Sequence, residues 1–127
     1  MIKQNIVFVE NKAGSLKRVT GLLANNNINI YGFACFDAPE FAIFRMICDD
    51  PDKAEIILNQ SGYMNRITQA IVVDMKDQVG GLDELLKIMA DSNVSLDYIY
   101  TSFHRKDLRP VVILHSEDIT VTESVLK

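Results

Sequence analysis

Apolar residues along the chain follow two patterns, continuous short runs and a spacing of three and four residues, and stretches of the two kinds alternate. Runs of four apolar residues, none longer, are typical of buried strands, and they lie at 6–9, 33–36, 41–44, 70–73 and 111–114. Two other stretches place apolar residues three and four positions apart, as an amphipathic helix does. These are Leu16, Val19, Leu22 and Leu23, then Leu82, Leu85, Ile88 and Met89. The pattern predicts a strand followed by a helix, twice.

The two strand-helix stretches belong to an internal repeat. A shift of 66 positions superimposes residues 6–16 on 72–82, and it also aligns 27–30 with 93–96 and 46–48 with 112–114. Identical residues are few, but Gly14 falls on Gly80 and Asn27 on Asn93. Because the match is one of pattern and spacing, we expect two copies of the same fold.

The first copy, residues 1–68, has signals for six elements. Strands are predicted at 5–9, 28–36, 41–48 and 63–68, with residues 37–40 (Asp-Ala-Pro-Glu) as a hairpin turn. Asp50 and Pro51 are typical of a helix start, and Gly62 is typical of its end. The predicted order is β-α-β-β-α-β, that of the split β-α-β fold.

The second copy, residues 69–127, repeats this order incompletely. It has a strand at 70–75, a longer hairpin loop at 103–109 and a second helix that starts near Ser116, but no counterpart of the last strand. Loss of that strand leaves the apolar strand 70–75 at an open edge, which proteins usually cover. We therefore expect self-association, as a homodimer.

Charge and composition exclude several classes of function. The chain of 127 residues is 48% hydrophobic with a net charge of -4, so its field repels nucleic acid and anionic membranes. Its apolar runs are far shorter than the roughly 20 residues of a membrane span or the roughly 7 to 15 of an export signal. A cytoplasmic protein without nucleic-acid or membrane partners is expected.

Metal, cofactor and catalytic chemistry are not indicated by the sequence. Cys35 and Cys48 lie in apolar runs without metal-ligand spacing, which favours two reduced, buried thiols. His104 and His115 lack partners at catalytic spacing, and we expect both in loops or at the surface. The basic loop around Arg109 could hold a phosphate, but without a glycine-rich cradle a solvated hairpin tip is the favoured interpretation. We expect no catalytic residue, no metal and no cofactor.

The strand-loop-glycine-helix segments 9–16 and 75–82 resemble those of ACT domains, small regulatory modules that bind amino acids. The family's loop usually reads Asp-x-Pro-Gly; here Asn11 replaces the Asp in the first copy, and Ala13 and Val79 replace the Pro. The resemblance implies an α+β chain of two ferredoxin-like modules, each an antiparallel sheet with its helices on one face, the second lacking its last strand.

The resemblance also implies where a ligand binds and what the protein does. The loop after the first strand of one module would face the start of the second strand of its neighbour. The implied ligand-binding residues are Asn11, Lys12, Ala13, Gly14, Ser15, Leu16, Ile28, Asn29, Ile30, Asp77, Gln78, Val79, Gly80, Gly81, Leu82, Val94, Ser95 and Leu96. The implied function is non-catalytic regulation of a metabolic enzyme by an amino acid. A protein-protein adaptor or oligomerisation module without a ligand is the alternative.

The two helix starts differ in charge. Lys17 and Arg18 fall in the first turn of the first helix, whereas Asp83 and Glu84 fall in the equivalent turn of the second copy. The positive end of a helix dipole disfavours cations and favours anions. We therefore predict that the first loop receives a ligand carboxylate and that the second does not. We also expect Gly14 and Gly80 to matter more for ligand response than for folding.

Overall fold

A computed structural model describes residues 1–126 as six strands and four helices. Their order along the chain is β1 (Ile2–Glu10), α1 (Ser15–Asn25), β2 (Ile30–Ala38), β3 (Phe41–Cys48), α2 (Pro51–Gln60), β4 (Asn65–Asp74), α3 (Gly81–Asp91), β5 (Leu96–Phe103), β6 (Pro110–Ser116) and α4 (Ile119–Val125). The chain forms two compact units. One is Lys3–Thr68, and the other contains Met1–Ile2 and the chain from Gln69 onward.

The first unit is an antiparallel sheet with its two helices packed on it. Strand β3 lies between β1 and β2, with Val7 opposite Phe44 on one side and Cys35 opposite Phe44 on the other. The beginning of β4 runs beside β1, where the Phe8 amide donates to the Met64 carbonyl at 3.0 Å. The strand order in this unit is therefore β4-β1-β3-β2.

Alternate residues of these strands form the core of the first unit. The inward face of β1 and β3 packs against the apolar stripes of α1 and α2, as the helical spacing predicts. The members of this core that are fully buried or nearly so include Val7, Val19, Leu23, Phe44, Met46, Ala54 and Leu58. Burial of such side chains is the main stabilising contribution to a domain of this size.

The second unit repeats the arrangement with strand order β4-β6-β5. Ile71 lies opposite Leu114, and Leu114 lies opposite Ile99. Its core is formed by the strands and by the helices α3 and α4, and α4 is the last element in the described part of the chain. The buried members of this core are Ile71, Leu85, Met89, Val112 and Leu114.

Several element boundaries differ from those that the sequence predicts. The separate strands expected at 63–68 and 70–75 are one strand, β4, since no Gly or Pro interrupts its β-branched residues. The turn expected over 37–40 contains two residues, because Ala38 already pairs with Phe41. The last helix begins at Ile119 rather than near Ser116, because the Asp118 side chain caps it by accepting from the Val121 amide at 3.2 Å.

The prediction that both cysteines are buried is wrong for Cys35. Cys48 is buried and burial raises the pKa of its thiol, but Cys35 is exposed on β2. Phe33 and Phe36 on the same strand are also exposed, to 63% and 46%. The helices of the first unit cover β1 and β3 and leave this part of β2 open. The apolar run 33–36 is therefore part of an accessible surface and not a covered strand.

Candidate functional site

The loop between β1 and α1 ends in an uncapped helix start. Gly14 has a φ of +86°, in the left-handed region, and the helix begins at the next residue with no side-chain cap. Amide groups in the first turn of a helix have no acceptor within the helix. The Ser15 amide donates to the Lys12 carbonyl at 3.2 Å, and among residues 1–126 no side-chain cap accepts from the amides of Leu16 or Lys17. These donors and the helix dipole favour an anionic group at this position.

A buried hydroxyl lies at the same helix start. Ser15 is 6% exposed, and its Oγ atom has no hydrogen-bond partner among the described residues. A buried polar group without a partner costs about 1 to 3 kcal/mol. Such an atom is a natural contact for a polar ligand group.

Charged side chains around this loop are partly engaged with one another. Lys12 Nζ lies 2.7 Å from Glu10 Oε2, and this hydrogen bond lowers the pKa of Glu10. Asn11 donates its amide to a carboxylate oxygen of Asp37, at the end of β2. Within the described residues, Lys17 and Arg18 form no ion pair. The first helix start therefore carries two cations outside ion pairs, of which Arg18 is close enough to Glu10 to help lower the pKa of that carboxyl.

The equivalent loop of the second unit has the same backbone and different charges. Gly80 has a φ of +84° and again precedes a helix without a side-chain cap. Asp83 and Glu84 occupy the first turn, and Glu84 is 3.5 Å from Lys76 Nζ. Its own carboxylates thus neutralise the positive end of α3.

Each unit places the two halves of its predicted site at opposite ends of a strand. The side chain of Asn11 contacts the end of β2, whereas Asn29 precedes the start of β2 and its amide donates to Asp49 Oδ1 at 3.1 Å. A nine-residue strand separates them by about 30 Å, at about 3.3 Å per residue. Within the first unit, loop 11–14 and residues 28–29 therefore do not meet.

The second unit shows the same separation. Loop 77–80 follows the end of β4, where the Met75 amide donates to the Pro110 carbonyl at 3.3 Å. Val94 and Ser95 instead line a cavity of 230 Å³ with residues 116–118 at the end of β6. A site built from both halves would need a neighbouring module.

Most of the predicted loop residues are accessible. Those exposed to solvent are Asn11, Lys12, Ala13, Gly14, Asn29, Asp77, Gln78, Val79, Gly80, Leu82 and Ser95. The half-buried ones are Leu16, Ile30, Val94 and Leu96, and the buried ones are Ser15, Ile28 and Gly81. At Gly81 a Cβ atom would lie 2.1 Å from the Lys76 carbonyl oxygen, so this glycine allows the start of α3 to approach the backbone of the loop after β4 closely.

The structure does bring two predicted residues together, in an open groove of 470 Å³. Leu16 from α1 and Ile30 from β2 share it with four other residues. Its full lining is Leu16, Lys17, Thr20, Ile30, Phe33 and Phe44. Sequence reasoning missed Thr20, Phe33 and Phe44 as site residues. The one signal for Phe33 was its place in the apolar run 33–36. Whether a helix covers that run depends on tertiary packing, which the sequence pattern does not give.

The other candidate chemistry is largely paired within the protein. His115 lies in β6, with Nδ1 2.9 Å from Asp97 Oδ2 and its ring stacked on Tyr98 at 5.3 Å. Arg109 in the basic loop is 3.1 Å from Asp74 and 3.2 Å from Asp107. Residues 1–126 contain no cluster of three or more His, Cys, Asp or Glu side chains placed to hold a metal. No helix in that range is both long and apolar enough to cross a lipid bilayer.

Comparison with known proteins identifies related sequences and folds. Residues 1–126 match the family described as the ACT domain pair. A crystal structure of a protein from Bacteroides thetaiotaomicron is 29% identical, with a TM-score of 0.88, over 98% of this chain and 85% of that one. No protein with a curated description matches the sequence.

Two regulatory subunits have the same fold. The ligand-free regulatory subunit of aspartate kinase from Thermus thermophilus is 14% identical with a TM-score of 0.64, over 98% of this chain and 88% of that one. The corresponding subunit from Thermus flavus is 14% identical with a TM-score of 0.57, over 99% of this chain and 92% of that one.

Proposed function

The chain belongs to the ACT domain family as a pair of ACT domains, and on this premise we propose that it is a non-catalytic regulator that binds a free amino acid. Residues 1–68 and 69–127 are the two proposed modules. Binding of the amino acid would modulate a metabolic enzyme. The proposal assigns no reaction to the chain itself.

The start of α1 is the observation that carries this proposal. The amides of Leu16 and Lys17 have no acceptor within the helix, and the buried Ser15 hydroxyl has no partner among the described residues. An amino acid supplies a carboxylate for the amides and an ammonium group or further oxygen for the hydroxyl. The positive charges of Lys17 and Arg18 also favour a carboxylate at this end of α1, with Lys17 Nζ lying one turn further along the helix, beside Gly21.

The charge difference between the copies assigns the ligand to the first loop. At the start of α3 the carboxylates of Asp83 and Glu84 already occupy the positive end of the helix dipole. A ligand carboxylate there would meet like charges. We therefore propose one amino-acid site, at the first loop, and a structural role for the second.

A neighbouring module would complete this site, since loop 11–14 and residues 28–29 lie at opposite ends of β2, about 30 Å apart within one unit. We propose that a second copy of the chain supplies the missing half, which makes the regulator a homodimer. The Thermus structures are described as regulatory subunits of aspartate kinase. A separate catalytic partner is therefore proposed for this chain as well.

A thermal-shift screen against the twenty common amino acids tests the proposal. An amino acid at about 100 times its Kd should add about 2.7 kcal/mol to the free energy of unfolding, which is a shift of several degrees. Acetate at the same concentration is the control for non-specific anion effects. If no amino acid raises the melting temperature, the alternative of a ligand-free adaptor replaces this proposal.

A further inference from the structure

Building on the proposed amino-acid site, we infer that the ligand is an amino acid with a large apolar side chain, and that the groove between α1 and β2 holds this side chain. The groove is the 470 Å³ cleft whose six lining residues are given above. Its volume lies within the range of about 300 to 1,000 Å³ that is typical of small-molecule sites.

The walls of the groove are apolar. Leu16 and Ile30 are half-buried and pack against the core of the first unit, and Phe44 forms the floor at 2% exposure. Phe33 is 63% exposed, with its ring centroid 6.1 Å from that of Phe44. A phenyl ring left this open beside a cleft gains free energy when an apolar group covers it.

The polar groups of the groove select against charged side chains. Thr20 Oγ1 donates to the Lys17 carbonyl at 3.2 Å. Lys17 is the one charged residue among the six that line the groove. Its ammonium group repels a basic ligand side chain, whereas an acidic side chain would compete with the ligand's own α-carboxylate for that ammonium group and would lose hydration against Leu16 and Phe33. An uncharged apolar side chain meets neither penalty.

One ligand can span the helix start and the groove, because Leu16 and Lys17 belong to both. Their amides lie in the uncapped first turn of α1, and their side chains line the groove. A carboxylate held at the first turn therefore places the α-carbon of an amino acid beside the apolar wall.

The second unit supplies the matched control. The shift of 66 positions pairs Phe33 with Ile99, and Lys17 with Asp83. Phe33 is 63% exposed and Ile99 is 38% exposed, so neither replacement by Ser empties a fully buried position. Only the first of these replacements removes a wall of the proposed site.

Calorimetric titration of the full chain with L-phenylalanine, L-leucine, L-aspartate and L-lysine tests the inference. We expect L-phenylalanine or L-leucine to bind, F33S to weaken that binding at least tenfold, and I99S to change it less than twofold. Circular dichroism of each variant checks that it remains folded.

The titration distinguishes a failure of the groove inference from a failure of the proposed function. Binding of L-aspartate or L-lysine, without L-phenylalanine or L-leucine, overturns the inference and leaves the amino-acid regulator intact. Binding of an apolar amino acid with equal affinities for F33S and I99S overturns the assignment to this groove. If none of the twenty amino acids of the thermal-shift screen stabilises the protein, the proposed function and the inference are overturned together.

Discussion

Gly14 and Gly80 start the first helix of their units with the same left-handed backbone. Their φ angles are +86° and +84°, and no atom lies within 4 Å of the position that a Cβ would take at either residue. A side chain there costs conformational energy without a steric clash. Both glycines therefore contribute to stability through their backbone conformation, and the expectation that they matter more for ligand response than for folding stays a prediction.

The first prediction compares two glycines on either side of the same helix start. G14A should lower the free energy of unfolding by about 1 to 2 kcal/mol, the cost of a left-handed L-residue. G21A, inside α1, should raise it by about 0.5 to 1 kcal/mol, since alanine is the better helix former. Urea denaturation measures both. Similar changes in the two variants would contradict this account of Gly14.

The second prediction concerns the pKa of Glu10, which the hydrogen bond from Lys12 lowers. K12Q should raise that pKa toward its ordinary value in a carboxyl NMR titration, while K76Q should leave it unchanged. Because the folded-state pKa lies below the unfolded value, the contribution to stability is present above the unfolded pKa. It is lost as the pH falls through the folded pKa. If the pKa of Glu10 is the same in K12Q as in the unmodified protein, Lys12 is not the partner that lowers it.

At the scale of elements, the sequence predicted the helices better than the strands. Asp50 and Pro51 are local signals, and α2 begins where they place it, with Asp50 Oδ1 accepting from the Lys53 amide at 3.1 Å. Residues 33–36 read as a covered strand, yet Phe33 and Cys35 are exposed. An apolar run predicts burial, but the packing of α1 on the sheet decides which of its side chains are covered.

The groove could not be predicted for the same reason. Its lining combines Leu16 and Thr20 from a helix with Phe33 and Phe44 from two strands. Leu16 and Thr20 share a helix face at a spacing of four residues, but no spacing along the sequence links them to Phe33 and Phe44, which only the packing of α1 on the sheet brings near. By contrast, the glycine loops could be predicted, since each is a contiguous segment with its own conformational requirement.

The third prediction tests the cap of α2. D50A should lower the free energy of unfolding by about 1 kcal/mol, because the Lys53 amide loses its acceptor. E55A is the control, a helical carboxylate with no described hydrogen bond or ion pair. A chemical denaturation midpoint that moves equally in both variants would indicate a general charge effect instead of capping.

At the scale of the whole molecule, a symmetric fold carries asymmetric charge. Residues 1–66 have seven basic and seven acidic side chains, whereas 67–127 have six and ten. The two units share element order and glycine loops, but the difference extends to the helix starts. The two loops therefore differ in the charges beside their helix starts, Lys17 and Arg18 in the first and Asp83 and Glu84 in the second.

The fourth prediction is that the chain forms a homodimer in solution. A second copy would supply residues 28–29, which lie about 30 Å from the first loop in the same unit. Multi-angle light scattering should return twice the chain mass of 14.3 kDa. A monomer across a wide concentration range, with the amino acid present, would contradict it.

Calorimetry on two charge-reversed variants is the most direct test of the central claim, that the first loop binds the amino acid. The titrant is the amino acid selected by the thermal-shift screen. K17E/R18E should weaken binding at least tenfold, since carboxylates would then face the ligand carboxylate at the start of α1. D83K/E84K should leave the affinity unchanged or add a second site. Equal losses in the two variants, or a loss confined to D83K/E84K, would contradict the assignment.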